Sequence, residues 1–251
     1  MTKGEIWAVA MRQSAVDLNC RAEDFLCAEN KVVLSAPHPG ARKYLTLPFA
    51  CDLVSYGGNV VASVGNEQRA LVEDYIGRYA AYRCFETPNL HVLQTQGLRV
   101  CFMAEYFLPD PARLQALPCA YELRLLEPCD LAALYLPQWS NALCEKRKEL
   151  DVLALGAYEG QRLIGLAGCS ADCESMWQIG IDVLPAYRRQ GVAAALTSAL
   201  ALEILRREKV PFYCAAWSNL PSVRNALRSG FCPAWVELTV KPAAFVTELN
   251  G

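Results

Sequence analysis

The sequence predicts an α/β protein, and three observations carry that expectation. Apolar runs of strand length, several of them alternating, recur between clusters of Gly, Pro and polar residues. Among them lies a stretch whose apolar residues repeat at helical spacing. The composition, 53% hydrophobic and 20% charged, is that of an ordinary globular chain with ample material for a core. A length of 251 residues allows one large domain or two small ones.

The second half is the more regular. A short strand is expected at 121–126, and Pro128 opens a helical stretch to about Lys148, with Asp130 near its start and Leu131, Leu134 and Leu143 facing a core. Strands at 152–158 and 162–169 are joined by Glu159-Gly160, a hairpin signal. A polar turn from Ala171 to Ser175 leads into a strand at 176–183 that alternates. Trp177, Ile179, Ile181 and Val183 point to one face, and Met176, Gln178, Gly180 and Asp182 to the other. A helix at 191–208 carries the stripe Val192, Leu196, Leu200, Ile204, with Glu203, Arg206 and Arg207 opposite. A strand at 210–217, a short helix at 221–229 ended by Gly230, and a strand at 233–240 complete the domain.

The first half offers strands in KVVLSA, LVSYGGNVVASV and LRVCFMAEYF and a helix at 67–82. Gly57-Gly58 suits a turn or bulge better than a phosphate loop, because no helix start follows it. The proline-rich stretch LPDPARLQALPCAYEL marks a border. The expected organisation is an N-terminal α/β region over 1–115, with no chemistry of its own, and a second domain over 120–245.

Charge and motifs exclude several functions. Lys+Arg 24 against Asp+Glu 26 leaves no basic footprint for nucleic acid or an anionic membrane. No apolar run approaches the ~18–20 residues of a membrane span. The N-terminus lacks the pattern of a secretory leader, so a cytoplasmic protein is expected. Most of the twelve cysteines, such as Cys101, Cys169 and Cys214, sit in apolar segments and are expected to be reduced and buried. Cys169 and Cys173 form a lone C-x3-C pair, and His38 and His91 stand far from it, so no metal site is expected. G-x-S-x-G, G-x-G-x-x-G and P-loop motifs are absent from the sequence.

Chemistry concentrates in IGIDVLPAYRRQGVAAALTSALA. A strand ends at Pro185, then Arg188, Arg189, Gln190 and Gly191 lead into a helix that begins with Val192, Ala193 and Ala194. The first N–H groups of a helix lack intrahelical partners, and the helix dipole adds positive charge there. Small residues let an anion approach the main chain, and two arginines add charge-assisted donors, a design suited to pyrophosphate. A plain strand–loop–helix connection with two solvated arginines uses the same residues.

The run Arg188-Arg189-Gln190-Gly191-Val192-Ala193 resembles the [QR]-x-x-G-x-[GA] motif of the GCN5-related N-acetyltransferases (GNAT). Asn219, Ser222 and Gly230-Phe231 resemble the family's second segment, N-x-x-[AS]…G-F. The longer runs AGCSADCESMWQIGIDVLP and NLPSVRNALRSGFCPAWVEL look like those of a two-part subgroup similar to the zwittermicin A resistance acetyltransferase. The resemblance implies a mixed, mostly antiparallel central sheet flanked by helices. It implies acetyl-CoA as acyl donor, no metal, and direct transfer in a ternary complex to an amine of a small molecule.

By the same resemblance, main-chain groups of Ile181, Asp182 and Val183 pair with the pantetheine arm where two parallel strands splay. The N–H groups of Arg188, Arg189, Gln190, Gly191, Val192, Ala193 and Ala194 hold the pyrophosphate. Asn219 and Ser222 lie beside the cofactor, although Asn219 also suits a helix cap and Ser222 a first-turn position. The tyrosine many members use as general acid is replaced here by Ala226. Glu174 is the candidate general base, with a surface turn as its bland description. Trp177, Trp217 and Trp235 suit either an acceptor pocket or a core. The missing tyrosine keeps a second function open, a CoA-binding regulatory or sensory module without turnover.

Overall fold

A computed structural model describes residues 1–94 and 97–251. In chain order the elements are α1 (Lys3–Leu18), β1 (Lys31–Leu34), β2 (Cys51–Ser55), β3 (Val61–Val64), α2 (Arg69–Arg78) and β4 (Leu98–Pro109). There follow β5 (Glu122–Leu126), β6 (Asp151–Glu159), β7 (Arg162–Ser170), β8 (Met176–Val183), α3 (Val192–Arg206), β9 (Val210–Ala216), α4 (Leu220–Arg228), β10 (Phe231–Pro242) and α5 (Ala243–Leu249). They divide into two units, one of Met1–Val9 with Phe107–Pro233, the other of Ala10–Tyr106 with Ala234–Gly251.

In the first unit β5, β6, β7 and β8 pair antiparallel, and β9 lies parallel to β8. The stripe expected on α3 is buried against this sheet. Val192, Leu196, Leu200 and Ile204 pack with Leu153, Ile164, Cys169 and Ile179. Two positions on the opposite face of the sheet are glycine for a steric reason. Gly168 and Gly180 are cross-strand partners on β7 and β8. A Cβ on Gly180 would sit 1.8 Å from the Asn141 carbonyl oxygen, and one on Gly168 would sit 2.1 Å from that of Ala142. The chain therefore lies flat on a glycine floor.

The second unit is also mixed: β1 runs parallel to β3, which pairs antiparallel with β2, and β2 pairs antiparallel with β10. Its core holds Leu53, Val60, Ala62, Val72, Tyr75, Ile76 and Leu238. Arg42 is buried there, donating to Asp17 at 2.5 Å and lying 3.6 Å from Glu237.

Three expectations need correction. The helical stretch from Pro128 to about Lys148 is instead a set of 3-10 turns at Pro128–Asp130, Pro137–Trp139 and Glu145–Leu150. Pro137 removes a donor and clashes with a preceding helical turn, and Leu136 before it is extended at φ −122°, ψ 152°. Leu131 and Leu143 are nevertheless buried, with Leu134 packed beside them. The border between units falls at Phe107 rather than near 115, and 234–251 go with the N-terminal region, because Leu238 pairs with Leu53 across β10 and β2. Finally, α1 and α5 were not foreseen. In α1 the buried Ile6, Ala10, Ser14 and Leu18 do fall at i+4 spacing, but small and polar members hide the stripe.

Candidate functional site

The ladder between the parallel strands β8 and β9 is short. It runs Met176↔Val210, Trp177↔Pro211 and Gln178↔Phe212, and goes no further. Beyond it, 179–183 keep their pairing with β7 through Cys169↔Ile179, Ala167↔Ile181 and Gly165↔Val183. The β9-facing main-chain groups of that stretch, including those of Ile181, Asp182 and Val183, are left open to an extended ligand.

The strand leads through Pro185–Tyr187 to α3. Gly191 caps that helix at φ 84°, with no side-chain cap, and a Cβ on it would meet nothing within 4 Å. Ala195 donates to the Gly191 carbonyl at 3.0 Å, so the N–H groups of Val192, Ala193 and Ala194 precede the helix ladder and face outward. Arg189 also adopts a positive φ, 64°. The side chains of Val192 and Ala194 are buried, which anchors the turn, while Arg188, Arg189 and Gln190 are exposed.

Side chains in this loop have differing roles. Arg188 donates from Nε to the Val183 carbonyl at 3.0 Å, tying the loop to the strand end. Gln190 accepts from the Tyr121 hydroxyl at 2.8 Å and donates to the Ala186 carbonyl at 3.1 Å. These two brace the loop, and its main chain and Arg189 are what it offers an anion.

Asp182 does more than the sequence indicates. Its carboxylate accepts from the Asn141 main chain at 2.8 Å, the Asn141 amide at 2.7 Å and the Ala142 main chain at 3.0 Å. It thereby pins the segment that lies on the Gly168–Gly180 floor. The glycines inside AGCS and IGID were the available signal of this close approach. Gln178 on the same face donates to Cys214 Sγ at 3.0 Å.

On the α3 face, Asn219 caps α4, its side chain accepting from the Ser222 N–H at 3.3 Å. Ala226, where the sequence resemblance leads one to expect a tyrosine, is fully buried, its methyl group in the core. Tyr213 of β9 reaches the same helix with its hydroxyl 2.8 Å from Ser222 Oγ. Burial holds the Tyr213 phenol above its ordinary pKa. In the sequence Tyr213 reads as one more strand aromatic.

Glu174 is exposed in the bend before β8. The three tryptophans differ in setting. Trp177 packs against the core, Trp217 is 55% exposed, and Trp235 is buried and stacked on Tyr106 at 4.6 Å. Among the described residues no group of three or more His, Cys, Asp or Glu is placed to hold a metal.

The family model described as GNAT acetyltransferase matches residues 105–234, just over half of the chain. The chain belongs to the GNAT acetyltransferase family. In this GNAT chain the match spans the strands β5–β9, the α3 loop and α4. No curated protein matches it. Solved structures similar to this GNAT chain include a GCN5-related N-acetyltransferase from Kribbella flavida, at 14% identity and TM-score 0.49, covering 61% of this chain and 62% of that one. The chain thus spans less than two thirds of that protein's length. A GCN5-related N-acetyltransferase-like protein from Streptococcus suis is 18% identical with TM-score 0.45, covering 73% and 72%. The aminoglycoside N-acetyltransferase AAC(6')-Iy, solved in complex with CoA, is 20% identical with TM-score 0.36, covering 46% of this chain and 91% of that one. None of these likenesses bears on the reaction.

Proposed function

We propose that this GNAT chain is an acetyl-CoA-dependent N-acetyltransferase that transfers acetyl to an amine of a small molecule within a ternary complex. The observation that carries the proposal is the parting of β8 from β9 after Gln178↔Phe212, beside the Gly191-capped start of α3. The residues fit the group. The open edge at Ile181, Asp182 and Val183 offers alternating donors and acceptors to the amides of a pantetheine arm. The N–H groups from Gly191 to Ala194, with Arg189 beside them, match a pyrophosphate, and Gly191 keeps the approach free.

Bound acetyl-CoA would supply an activated acyl thioester. The chain's own part is to hold that thioester, to aim a main-chain N–H of β8 at its carbonyl oxygen, and to exclude water. The acceptor amine must also lose a proton, and Glu174 is the carboxylate proposed to take it, directly or through water. Membership of the two-part subgroup similar to the zwittermicin A resistance acetyltransferase accords with the two units and belongs to this proposal. So does a reducing, cytoplasmic setting, which suits the twelve free thiols.

The buried Ala226 favours a second function, a CoA-binding module without turnover. Incubation with acetyl-CoA and a panel of polyamines, amino sugars and arylamines, with CoA followed by chromatography, separates the two. Acceptor-dependent CoA formation is the expected outcome. Binding with only acceptor-independent release would establish the module instead.

A further inference from the structure

The second unit holds a buried carboxyl that acyl transfer does not use. Asp52 of β2 is fully buried, and among the described residues neither of its carboxylate oxygens has a hydrogen-bond partner. The alternation of β2 and β10 sets it on the face opposite Leu53 and Leu238, with Thr239 directly across and Glu237 diagonal to it. Its neighbours on either side hold back their donors. Ser63 of β3 donates its hydroxyl proton to the Leu18 carbonyl at 2.8 Å, and Thr239 Oγ1 is buried and reaches no partner.

The charges that face Asp52 do not balance it. They are Asp17 from α1, Glu237 and Lys241 from β10, and Arg42 from the segment at 36–50. Arg42 is the one buried cation among them, and its donors are engaged. Its Nε donates to Asp17 at 2.5 Å, its Nη1 donates to the Tyr44 hydroxyl at 2.6 Å, and its Nη2 lies 3.6 Å from Glu237. Lys241 is half-buried, with its Nζ over the Phe49 ring at 5.8 Å. Burial pushes the nearby Tyr56 phenol up, so it adds no charge. An ionised Asp52 would be a third buried anion beside a single buried cation, and such a group takes up a proton instead. Burial, with Glu237 beside it, holds the Asp52 carboxyl well above the usual carboxylate range.

We propose that Asp52 carries a proton in the folded chain, and that this proton seals the end of α1 and the 36–50 segment onto β2 and β10, a seal that opens as pH rises. The segment contains no helix or strand. It is tied to α1 by the Arg42 main-chain N–H, which donates to Asp17 at 2.8 Å, and by the Gly40 carbonyl, which accepts from Gln13 at 2.9 Å. When the Asp52 proton passes to water, the carboxylate left behind is solvated only if water enters beneath that segment. An exposed aspartate titrates near 3.9, below the sealed one, so the seal is complete below about pH 4 and weakens as pH rises. Each pH unit in that window raises the opening constant about tenfold. His38, in the same segment, acts in the other direction. Its Nδ1 accepts from the Gly40 N–H at 3.0 Å, as only the neutral ring can.

Two measurements on the full chain test this. Infrared spectra of wild type at pH 6 should contain the carbonyl stretch of a protonated carboxyl that Asp52→Asn lacks. Tryptic cleavage after the exposed Lys43, divided by the rate for an unstructured peptide of the same sequence, should rise about tenfold from pH 6 to pH 7 in wild type and stay flat in Asp52→Asn. Absence of the band from wild type, or its full persistence in Asp52→Asn, would overturn the assignment of the proton. Wild-type cleavage that does not change with pH, or the same rise in the variant, would overturn the seal. If Asp52→Asn does not fold, the wild-type band and its loss in step with cleavage as pH rises decide alone.

Discussion

At Asp182 one side chain holds three donors from Asn141 and Ala142. The main chain of the same residue lines the open edge of β8. Asp182→Ala leaves those three donors without an acceptor, and a loss of about 1–3 kcal/mol in unfolding free energy is expected. Gly180→Ala should cost more than about 2 kcal/mol, because its Cβ would fall 1.8 Å from a backbone carbonyl that cannot move without lifting the whole segment. Thermal unfolding reads both. An unchanged midpoint for Gly180→Ala would mean that the segment does not lie on the strand. The sequence marks these positions only as glycines and an acid in a strand. The acid's partners lie some forty positions away, and spacing along a chain does not disclose them.

Among elements, β8 and α3 were legible because each has one face to bury. The alternation from Trp177 to Val183 and the stripe from Val192 to Ile204 both end in the same core. The stretch from Pro128 to Lys148 was not, since its apolar residues mimic helical spacing while Pro137 forbids the helix. The Arg188–Gly191 motif gave the loop, but the parting of β8 from β9 is a property of pairing and has no local signal. The segment's end carries a pH-dependent contact. Asp151 at the start of β6 accepts from the Cys144 N–H at 2.9 Å, and burial pushes its carboxyl up to about 6. An unfolded aspartate titrates near 3.9, so the folded chain binds this proton more tightly. The stability this gives is full below about pH 4 and is lost as pH rises towards about 6. Asp151→Asn should therefore remove that fall and stabilise the chain at pH 7, on the order of 1 kcal/mol after solvent screening. Urea midpoints between pH 4 and pH 8 check it. The same slope in the variant would assign the dependence to another group.

For the whole molecule, the sequence yields two regions and the structure redraws their limits, because β10 joins the sheet of the N-terminal region from the far end of the chain. Non-local strand pairing is the part of such a fold that composition and periodicity carry least. All twelve cysteines are free, with Cys27 and Cys129 exposed and Cys51, Cys84, Cys169 and Cys173 buried. Thiol titration should find twelve groups on unfolding and a fast native phase from the two exposed ones. Fewer than twelve in unreduced, unfolded protein would reveal a disulfide. The central claim, that the turn at Gly191 holds the pyrophosphate of an acyl-CoA, is tested most directly by calorimetry of acetyl-CoA with wild type and Gly191→Glu. The Cβ of that variant has free space but a disfavoured φ of 84°, and its carboxylate is placed where the anion would bind. Micromolar binding by wild type and a loss of at least about a hundredfold in a folded Gly191→Glu protein is the expected result. Undiminished binding by the folded variant would place the cofactor elsewhere and contradict the assignment.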